Sequence, residues 1–292
     1  MENTKTFILA NTQPASLSAL EQEHIVPVFA KDNERAISHA EFVHAIYDAV
    51  KHVYRGEQIR PAEIRVSHPI HGRVPEALHK KPAELMDHEK TLYYERMMFN
   101  IQLPSQTVLI DGHQLSLSIG GVKSYSQDRL SGKLTPQKFK VYVGYQVSVC
   151  SNLCVSADGC VAVLEASHAD ELFLKAIDIL EGYSEQELLA SLKEYASVSW
   201  SREEFEAFVG NMRVLLYDPK QDTKGMFGDT QLGHMTRGYF ENEHFGAVEG
   251  GRISLWSVYN LLTEANKSSY VDSYLERMQF IPKMLEPWIV KH

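Results

Sequence analysis

The stretch KFKVYVGYQVSV, residues 138–149, carries the clearest fold signal in the sequence. Its residues fall into two alternating sets, Phe139, Val141, Val143, Tyr145 and Val147 in one and Lys140, Tyr142, Gly144 and Gln146 in the other. Successive side chains of a β-strand point to opposite faces, so the first set forms an apolar face. The pattern predicts a half-buried strand of an antiparallel sheet.

Further strands are predicted upstream of this stretch. Asp111-Gly112 is a turn dipeptide suited to a tight hairpin, because glycine accepts a positive φ. Pro104 is expected to end a long strand, since proline lacks the backbone N–H that pairs strands. The predicted strands are Glu63–Ser67, Thr91–Leu103, Val108–Ile110 and Gln114–Ile119.

The first 60 residues mix an unpatterned segment with one well-marked helix. Residues 1–24 are polar without a clear period and predict a loosely held arm, followed by a short strand over Ile25–Phe29. Ser38 and Glu41 have the capping-box spacing, in which each side chain satisfies a free backbone N–H of the first helical turn. They predict a helix over residues 39–54.

From Ser167 onward the apolar spacing is that of helices. Three start signals, Ser167 with Asp170, Ser184 with Glu187, and Ser201 with Glu204, predict three consecutive helices. Residues 219–228 predict a flexible loop. Three more helices are expected near 229–240, 253–264 and 269–280, with Pro282 and Pro287 limiting any helix beyond them.

These elements define an α+β protein: an antiparallel β-rich first half with an N-terminal helix, followed by a helical second half. We divide the chain into the arm 1–24, a β-rich region 25–165 and a helical region 166–292, the last two packed together or forming one domain. No apolar run is long enough to span a membrane, and no basic start precedes an apolar run. Cys150, Cys154 and Cys160 are odd in number, which fits reduced thiols and a cytoplasmic location.

Charge is distributed unevenly along the chain. Residues 60–140 carry 12 Lys and Arg against 8 Asp and Glu, whereas residues 141–292 carry 12 against 22. Because phosphate binding needs local positive potential, the basic middle is the part expected to contact nucleic acid. The acidic helical half is expected to contact a protein partner or other copies of the chain.

The segment from Arg65 to Lys81 has the most unusual local composition. It contains His68, His71, Arg73, His79, Lys80 and Lys81. These residues predict a clamp for an anion or phosphate, in which Arg and Lys bind and His titrates near neutral pH. A metal site built from His68, His71, His79 and Glu76 is an alternative, as is a solvated loop that covers the sheet.

Other candidate residues lie outside that segment. Arg96 beside Tyr94 pairs a cation with an aromatic ring, as single-strand nucleic-acid platforms do, but a cross-strand ion pair is the competing interpretation. The stretch from Gly120 to Tyr125, with Lys123, resembles a phosphate loop only loosely, and a strand bend is the alternative. Lys267 is placed at a helix start, where it could meet an anion bound by free backbone donors.

Several segments together resemble one bacterial protein family, domain of unknown function 3871. They are Pro27–Glu34, Arg65–His68, Gly72–Pro75, Tyr93–Met97, Gly120–Val122, Lys138–Val141 and Asn260–Asp272. The resemblance covers nearly the whole chain, and the family supplies no assigned catalytic residues. It implies an accessory protein of plasmids, phages and other mobile elements, located in the bacterial cytoplasm.

Our leading hypothesis from the sequence is a nucleic-acid accessory protein that binds single-stranded or structured DNA. The predicted contact residues are Arg65, His68, His71, Arg73, Lys80, Lys81, Arg96, Lys123, Lys138, Lys140 and Lys267. The alternatives are a protein-interaction or counter-defence factor that binds no nucleic acid, and a metal-dependent hydrolase. No strong enzyme signature, catalytic residue or cofactor is predicted.

Overall fold

The computed structural model of the protein describes residues 6–22, 36–127, 136–155, 161–220 and 225–289. The strands are β1 Gln13–Ala15, β2 Glu63–Val66, β3 Pro69–Arg73, β4 Lys90–Tyr94, β5 Arg96–Ile110, β6 His113–Ser124, β7 Gln137–Val147, β8 Leu153–Cys154, β9 Val161–Ala166, β10 Ser199–Trp200 and β11 Ile253–Ser254. The helices are α1 Leu17–Gln22, α2 His39–Val53, α3 Ala169–Gly182, α4 Gln186–Ser197, α5 Arg202–Leu215, α6 Asp229–Glu241, α7 Leu255–Asn266 and α8 Val271–Ile289. The predicted α+β class is confirmed: a curled antiparallel sheet fills the first half and helices fill the second.

Seven strands form the main sheet in the order β1-β2-β5-β6-β7-β8, with β9 also paired to β7. The predicted hairpin around Asp111 and Gly112 is confirmed as the β5–β6 turn, where the two residues have φ values of 47° and 75°. Two positive φ values in a two-residue turn match the right-handed twist of the flanking strands. Strands β5, β6 and β7 are therefore the long central strands of the sheet.

The central strand β7 is buried on both faces, which corrects the prediction of a half-buried strand. On one face Phe139 packs against Phe42 of α2, with ring centroids 4.9 Å apart. On the other face the Lys140 Nζ lies 3.7 Å from the Glu276 carboxylate of α8, and Tyr142 is fully buried. The alternation identified the strand, but it did not show that its second face is also buried. The polar groups of Lys140, Tyr142 and Gln146 had suggested that this face meets solvent.

Two adjacent glycines of β6 leave room for neighbouring groups on the two faces of the sheet. A Cβ atom on Gly120 would lie 2.1 Å from the Phe99 carbonyl oxygen and 2.4 Å from the Tyr142 hydroxyl. A Cβ atom on Gly121 would lie 2.4 Å from the Phe42 ring. No side chain fits at such distances, so the two positions require glycine for packing.

The long strand predicted over Thr91–Leu103 is two strands, and Pro104 does not end the second one. The chain breaks at Glu95 between β4 and β5, and β5 then continues to Ile110. The pairing of β5 with β6 shifts register between Leu103 and Thr107. This irregularity accommodates Pro104, because a bulge removes the need for its missing N–H.

The predicted helices are present, with differences at their ends. Ser38 and Ser201 form the expected capping boxes with Glu41 and Glu204. The other two start signals are displaced, since α3 is capped at His168 and α4 at Glu185 without a side-chain hydrogen bond. Helix α8 continues through Pro282 and Pro287, although proline removes a helical hydrogen bond. None of the helices described is long and apolar enough to cross a membrane.

The N-terminal segment is held more firmly than predicted. Strand β1 pairs with β2, and the backbone N–H groups of Leu9 and Ala10 donate to the Lys267 carbonyl at 2.9 and 3.1 Å. Phe7 and Ile8 are fully buried. These contacts correct the expectation of a loose arm over its described part, residues 6–22. The strand predicted over Ile25–Phe29 lies outside the described residues.

We expect Gly120→Ala to lower the free energy of unfolding by about 3 kcal/mol, since the new methyl group must displace backbone or a buried hydroxyl. Gly182→Ala, at the end of α3 with nothing within 4 Å of an added Cβ, is the matched control. Its effect should stay within about 0.5 kcal/mol. Urea unfolding monitored by circular dichroism measures the free energy of unfolding of both variants. Equal losses in the two variants would contradict the close packing at Gly120.

Candidate functional site

The segment that carried most predicted site residues leaves the main sheet as a projecting hairpin. Strand β3 pairs with β4 in a separate two-stranded sheet. The neighbouring strand β6 ends at Ser124, which pairs with Arg96, so the hairpin extends beyond the sheet. We call residues 69–94 the β-arm, and residues 74–89 its tip.

The tip of the β-arm is held in shape by polar contacts of its own. Arg73 donates to the carbonyl oxygen of Lys80, and the Lys80 ammonium pairs with Glu89. The Glu89 carboxylate also accepts from the Met86 backbone N–H at 2.9 Å, and these hydrogen bonds hold the pKa of Glu89 below its usual value. An isolated two-stranded ribbon is marginally stable in water, so these contacts account for an ordered tip.

Apolar side chains lie exposed on the β-arm. Leu78 is 70% exposed and Met86 is 57% exposed, both at the tip, and Ile70 is exposed along β3. His68 and His71 at the base and His79 and His88 at the tip are exposed as well. Sequence reasoning missed Leu78 and Met86, although two large apolar residues in a polar, proline-containing loop were a readable signal.

The predicted anion clamp is not assembled on the β-arm. Arg65 lies in β2 and donates through its guanidinium to the Thr12 carbonyl oxygen at 2.8 Å, so it fastens the N-terminal segment. Burial lowers the pKa of Arg65, and the nearby Glu63 carboxylate offsets only part of that shift. Arg73 and Lys80 hold the tip together, whereas Lys81 is exposed. The cations of this region therefore point to different parts of the fold.

Three further residues that were predicted to contact nucleic acid instead form ion pairs within the fold. Arg96 pairs with Asp272 of α8, and Lys140 pairs with Glu276 of the same helix. Lys138 lies 3.8 Å from Glu165 on the adjacent strand β9. The ion pair considered for Arg96 is therefore present, but it reaches a helix rather than a neighbouring strand.

Lys123 lies in the core, which corrects its placement in a phosphate-binding loop. It is fully buried, with its Nζ 4.1 Å from the Phe139 ring centroid and 5.6 Å from that of Tyr125. The Nζ also lies 3.4 Å from the Gln137 side-chain oxygen. The surrounding residues 120–124 belong to the continuous strand β6, so the phosphate loop is not present.

Lys267 lies at the end of a helix rather than at its start. It caps the C-terminus of α7, where the helix dipole favours a cation. Its Nζ donates to the Cys150 carbonyl at 2.5 Å and to Glu264 at 2.8 Å, and the residue is almost fully buried. Lys267 therefore joins α7 to the turn after β7, and it is closed to a soluble anion.

No metal centre is present among the residues that the structure describes, where no three His, Cys, Asp or Glu side chains are grouped to hold an ion. His68, His71, His79 and Glu76 all belong to that described set, so the metal-dependent hydrolase has no assembled site there. Cys154 is buried, which raises the pKa of its thiol, and Cys150 is half-buried. Cys160 lies outside the described residues.

The fold and the β-arm define an α+β protein with a doubly covered antiparallel sheet and a projecting ribbon. The profile of the family described as "Domain of unknown function, B. Theta Gene description" matches residues 1–283. The chain therefore belongs to that family, domain of unknown function 3871, as the resemblance predicted. Searches of the curated proteins and of the solved structures return no match.

We expect Arg96 and Asp272 to be coupled energetically, because their contact joins the sheet to α8. Arg96→Gln, Asp272→Asn and the double variant form a double-mutant cycle measured by urea unfolding. The side chains are 38% and 29% exposed, so solvent screening limits the expected coupling to about 1 kcal/mol. A coupling of zero would mean that the pair does not join the layers.

Glu89→Gln should loosen the tip of the β-arm, because it removes the charge that pairs with Lys80. Faster backbone hydrogen exchange over residues 74–89 is the expected result. The folded-state pKa of Glu89 lies below its unfolded value, so its stabilising effect is present at neutral pH and is lost as pH falls through the folded-state value. Glu84→Gln, at an exposed carboxylate of the same tip, is the control. Equal exchange in both variants would contradict the role of Glu89.

Proposed function

We propose that this protein is an interaction protein that docks a protein partner through the tip of its β-arm. The observation that carries the proposal is the exposure of Leu78 and Met86 on a tip that is held together by its own ion pair and hydrogen bonds. An ordered surface that leaves large apolar side chains exposed is typical of a binding site. Because the tip is already shaped, little conformational entropy is lost when a partner covers it.

The chemistry of the tip defines the partner surface that would fit it. Leu78 and Met86 require an apolar recess, and methionine adapts readily to the shape of such a recess. Near these two side chains in the sequence are Lys81, His79 and His88. A lysine and two imidazoles favour a partner whose recess has an acidic or hydrogen-bonding rim. The partner is therefore a folded protein with an apolar groove and polar edges.

Nucleic-acid binding stays a prediction, but the geometry supports it less well than protein docking. Arg65, Arg96, Lys140 and Lys267 contact groups within the chain, so they offer no common surface to phosphates. Residues 165–206 carry eleven Asp and Glu against three Lys and Arg, and their negative potential would repel a nucleic acid.

The mobile-element setting that the resemblance implies belongs to the same proposal. A docking protein carried by a plasmid or phage could act on a host defence protein in the bacterial cytoplasm. In that setting the acidic surface of residues 165–206 offers a second contact to a basic partner.

Site-specific photo-crosslinking in the native bacterial host tests the proposal. A photoreactive residue at position 78 should give one discrete protein adduct, and the same residue at position 174 should not give it. Leu174 on α3 is 60% exposed and serves as the matched control. Adding Met86→Asp should abolish the adduct at position 78. Identical adducts from both positions would contradict docking by the tip.

Fluorescence anisotropy across a salt series tests the competing hypothesis. With single-stranded DNA, duplex DNA and RNA, the purified protein should show no binding tighter than about 100 μM near physiological salt, the weak end of non-specific binding. Micromolar binding that weakens steeply with salt and falls in Lys81→Ala or Lys138→Ala would favour nucleic acid instead.

A further inference from the structure

Helices α5 and α6 form an antiparallel pair whose outer face is open to solvent. At one end the Phe205 ring stacks on Tyr239, with centroids 4.3 Å apart. At the other end the Tyr217 hydroxyl donates to Asp229 at 2.7 Å. Gly210 on α5 and Gly233 on α6 each lie midway between these two contacts, so they stand at the same level of the pair. We call the exposed residues around them the α5–α6 face.

The fold of a single chain does not explain these two glycines. A Cβ atom at Gly210 or Gly233 would meet nothing within 4 Å, and neither residue has a positive φ. By contrast, a Cβ at Gly238 would lie 2.7 Å from Leu261, which gives that glycine a packing role. A glycine inside a helix costs about 1 kcal/mol relative to alanine, so an open mid-helix glycine is explained by the close approach of another backbone.

Large apolar side chains lie at both ends of the α5–α6 face. Val214 and Tyr217 are 69% and 71% exposed at one end, and Phe240 is 65% exposed at the other. Gly210, Arg213, Val214 and Tyr217 line a shallow open groove. The α5–α6 face is therefore low at its two central glycines and higher at the apolar side chains at its ends. A second helix pair fits a surface of this shape.

We propose that the α5–α6 face binds a second copy of this chain about a two-fold axis that crosses both helices at Gly210 and Gly233. In this arrangement α5 packs antiparallel on α5 of the second copy, and α6 packs antiparallel on α6. Each glycine then meets its own counterpart, which permits the closest approach of the backbones. A two-fold axis requires a surface that is complementary to itself.

The charges on the face meet that requirement. Asp229 and Arg237 lie four residues before and four residues after Gly233, so Asp229 of one copy faces Arg237 of the second. Glu206 lies four residues before Gly210 and Arg213 lies three residues after it. Glu206 of one copy therefore faces Arg213 of the second. The two-fold axis repeats each match, so four opposite-charge contacts surround the glycines.

These contacts extend ion pairs that exist within one copy. Arg202 pairs with Glu206 at 2.8 Å, and Arg213 pairs with Asp229 at 3.2 Å, with all four side chains about half exposed or more. A partner of uniform charge would meet repulsion from one member of each pair. A face with both signs placed symmetrically about its centre therefore favours a second copy over an acidic or a basic partner.

Sedimentation analysis of the full chain between about 1 and 200 μM tests the proposal, because it covers affinities of moderately stable dimers. We expect a reversible dimer. Arg237→Glu should raise its dissociation constant at least tenfold, because the new carboxylate would face Asp229 of the second copy. Leu174→Glu, on an exposed position of α3, should leave the dimer unchanged.

A cysteine placed at the axis gives an independent geometric readout. Gly210→Cys should form a disulfide between copies under mild oxidation, since the two Cα atoms must lie within about 7 Å. Leu174→Cys, with the same native thiols, should not. A monomer at all concentrations would overturn the proposal, as would a dimer that resists Arg237→Glu and does not crosslink through position 210. Neither result bears on docking by the β-arm.

Discussion

The burial of both faces of the central strands β5, β6 and β7 is the constraint on which the rest of the structure depends. Helix α2 contacts β5 and β6 on one face and α8 contacts them on the other, so the buried groups of these strands must be packed or hydrogen-bonded. Gly120 and Gly121 meet this demand by leaving room for Tyr142 on one side and Phe42 on the other. The Tyr142 hydroxyl in turn donates to Asn100 at 3.0 Å, deep in the interior.

The same constraint explains why Arg96, Lys123 and Lys140 do not share one exposed surface. A cation on a doubly covered sheet must find a partner in the layer above it, because an unpaired buried charge is very costly. Arg96 and Lys140 find their partners on α8, and Lys123 lies against aromatic rings in the core. The positive charges of Arg96 and Lys140, which the sequence assigned to phosphate binding, therefore stabilise the contact between sheet and helix.

Local signals made much of the fold predictable, and the failures share one cause. The alternation of residues 138–149, the Asp111-Gly112 turn and the Ser38 capping box depend on near neighbours in sequence, and each predicted its element. The burial of Lys123, the Arg96–Asp272 pair and the docking of Leu9 on Lys267 depend on residues far apart in the chain. No single-sequence pattern encodes such contacts. The proposed docking site lies in the segment that the His and Lys residues singled out, but it depends on Leu78 and Met86, whose exposure is a property of the folded chain.

The tip of the β-arm lies outside the doubly covered sheet and is held by contacts of its own, so we expect it to open independently of the core. Native-state hydrogen exchange of the free protein tests that claim most directly, because it measures the opening free energy of each segment. Amides of β5 to β7 should exchange only through global unfolding. Amides of the tip, residues 74–89, should exchange through local opening that requires at least about 2 kcal/mol less, a difference that this method resolves. Equal opening free energies would place the β-arm within the cooperative core and contradict its role as a separate docking element.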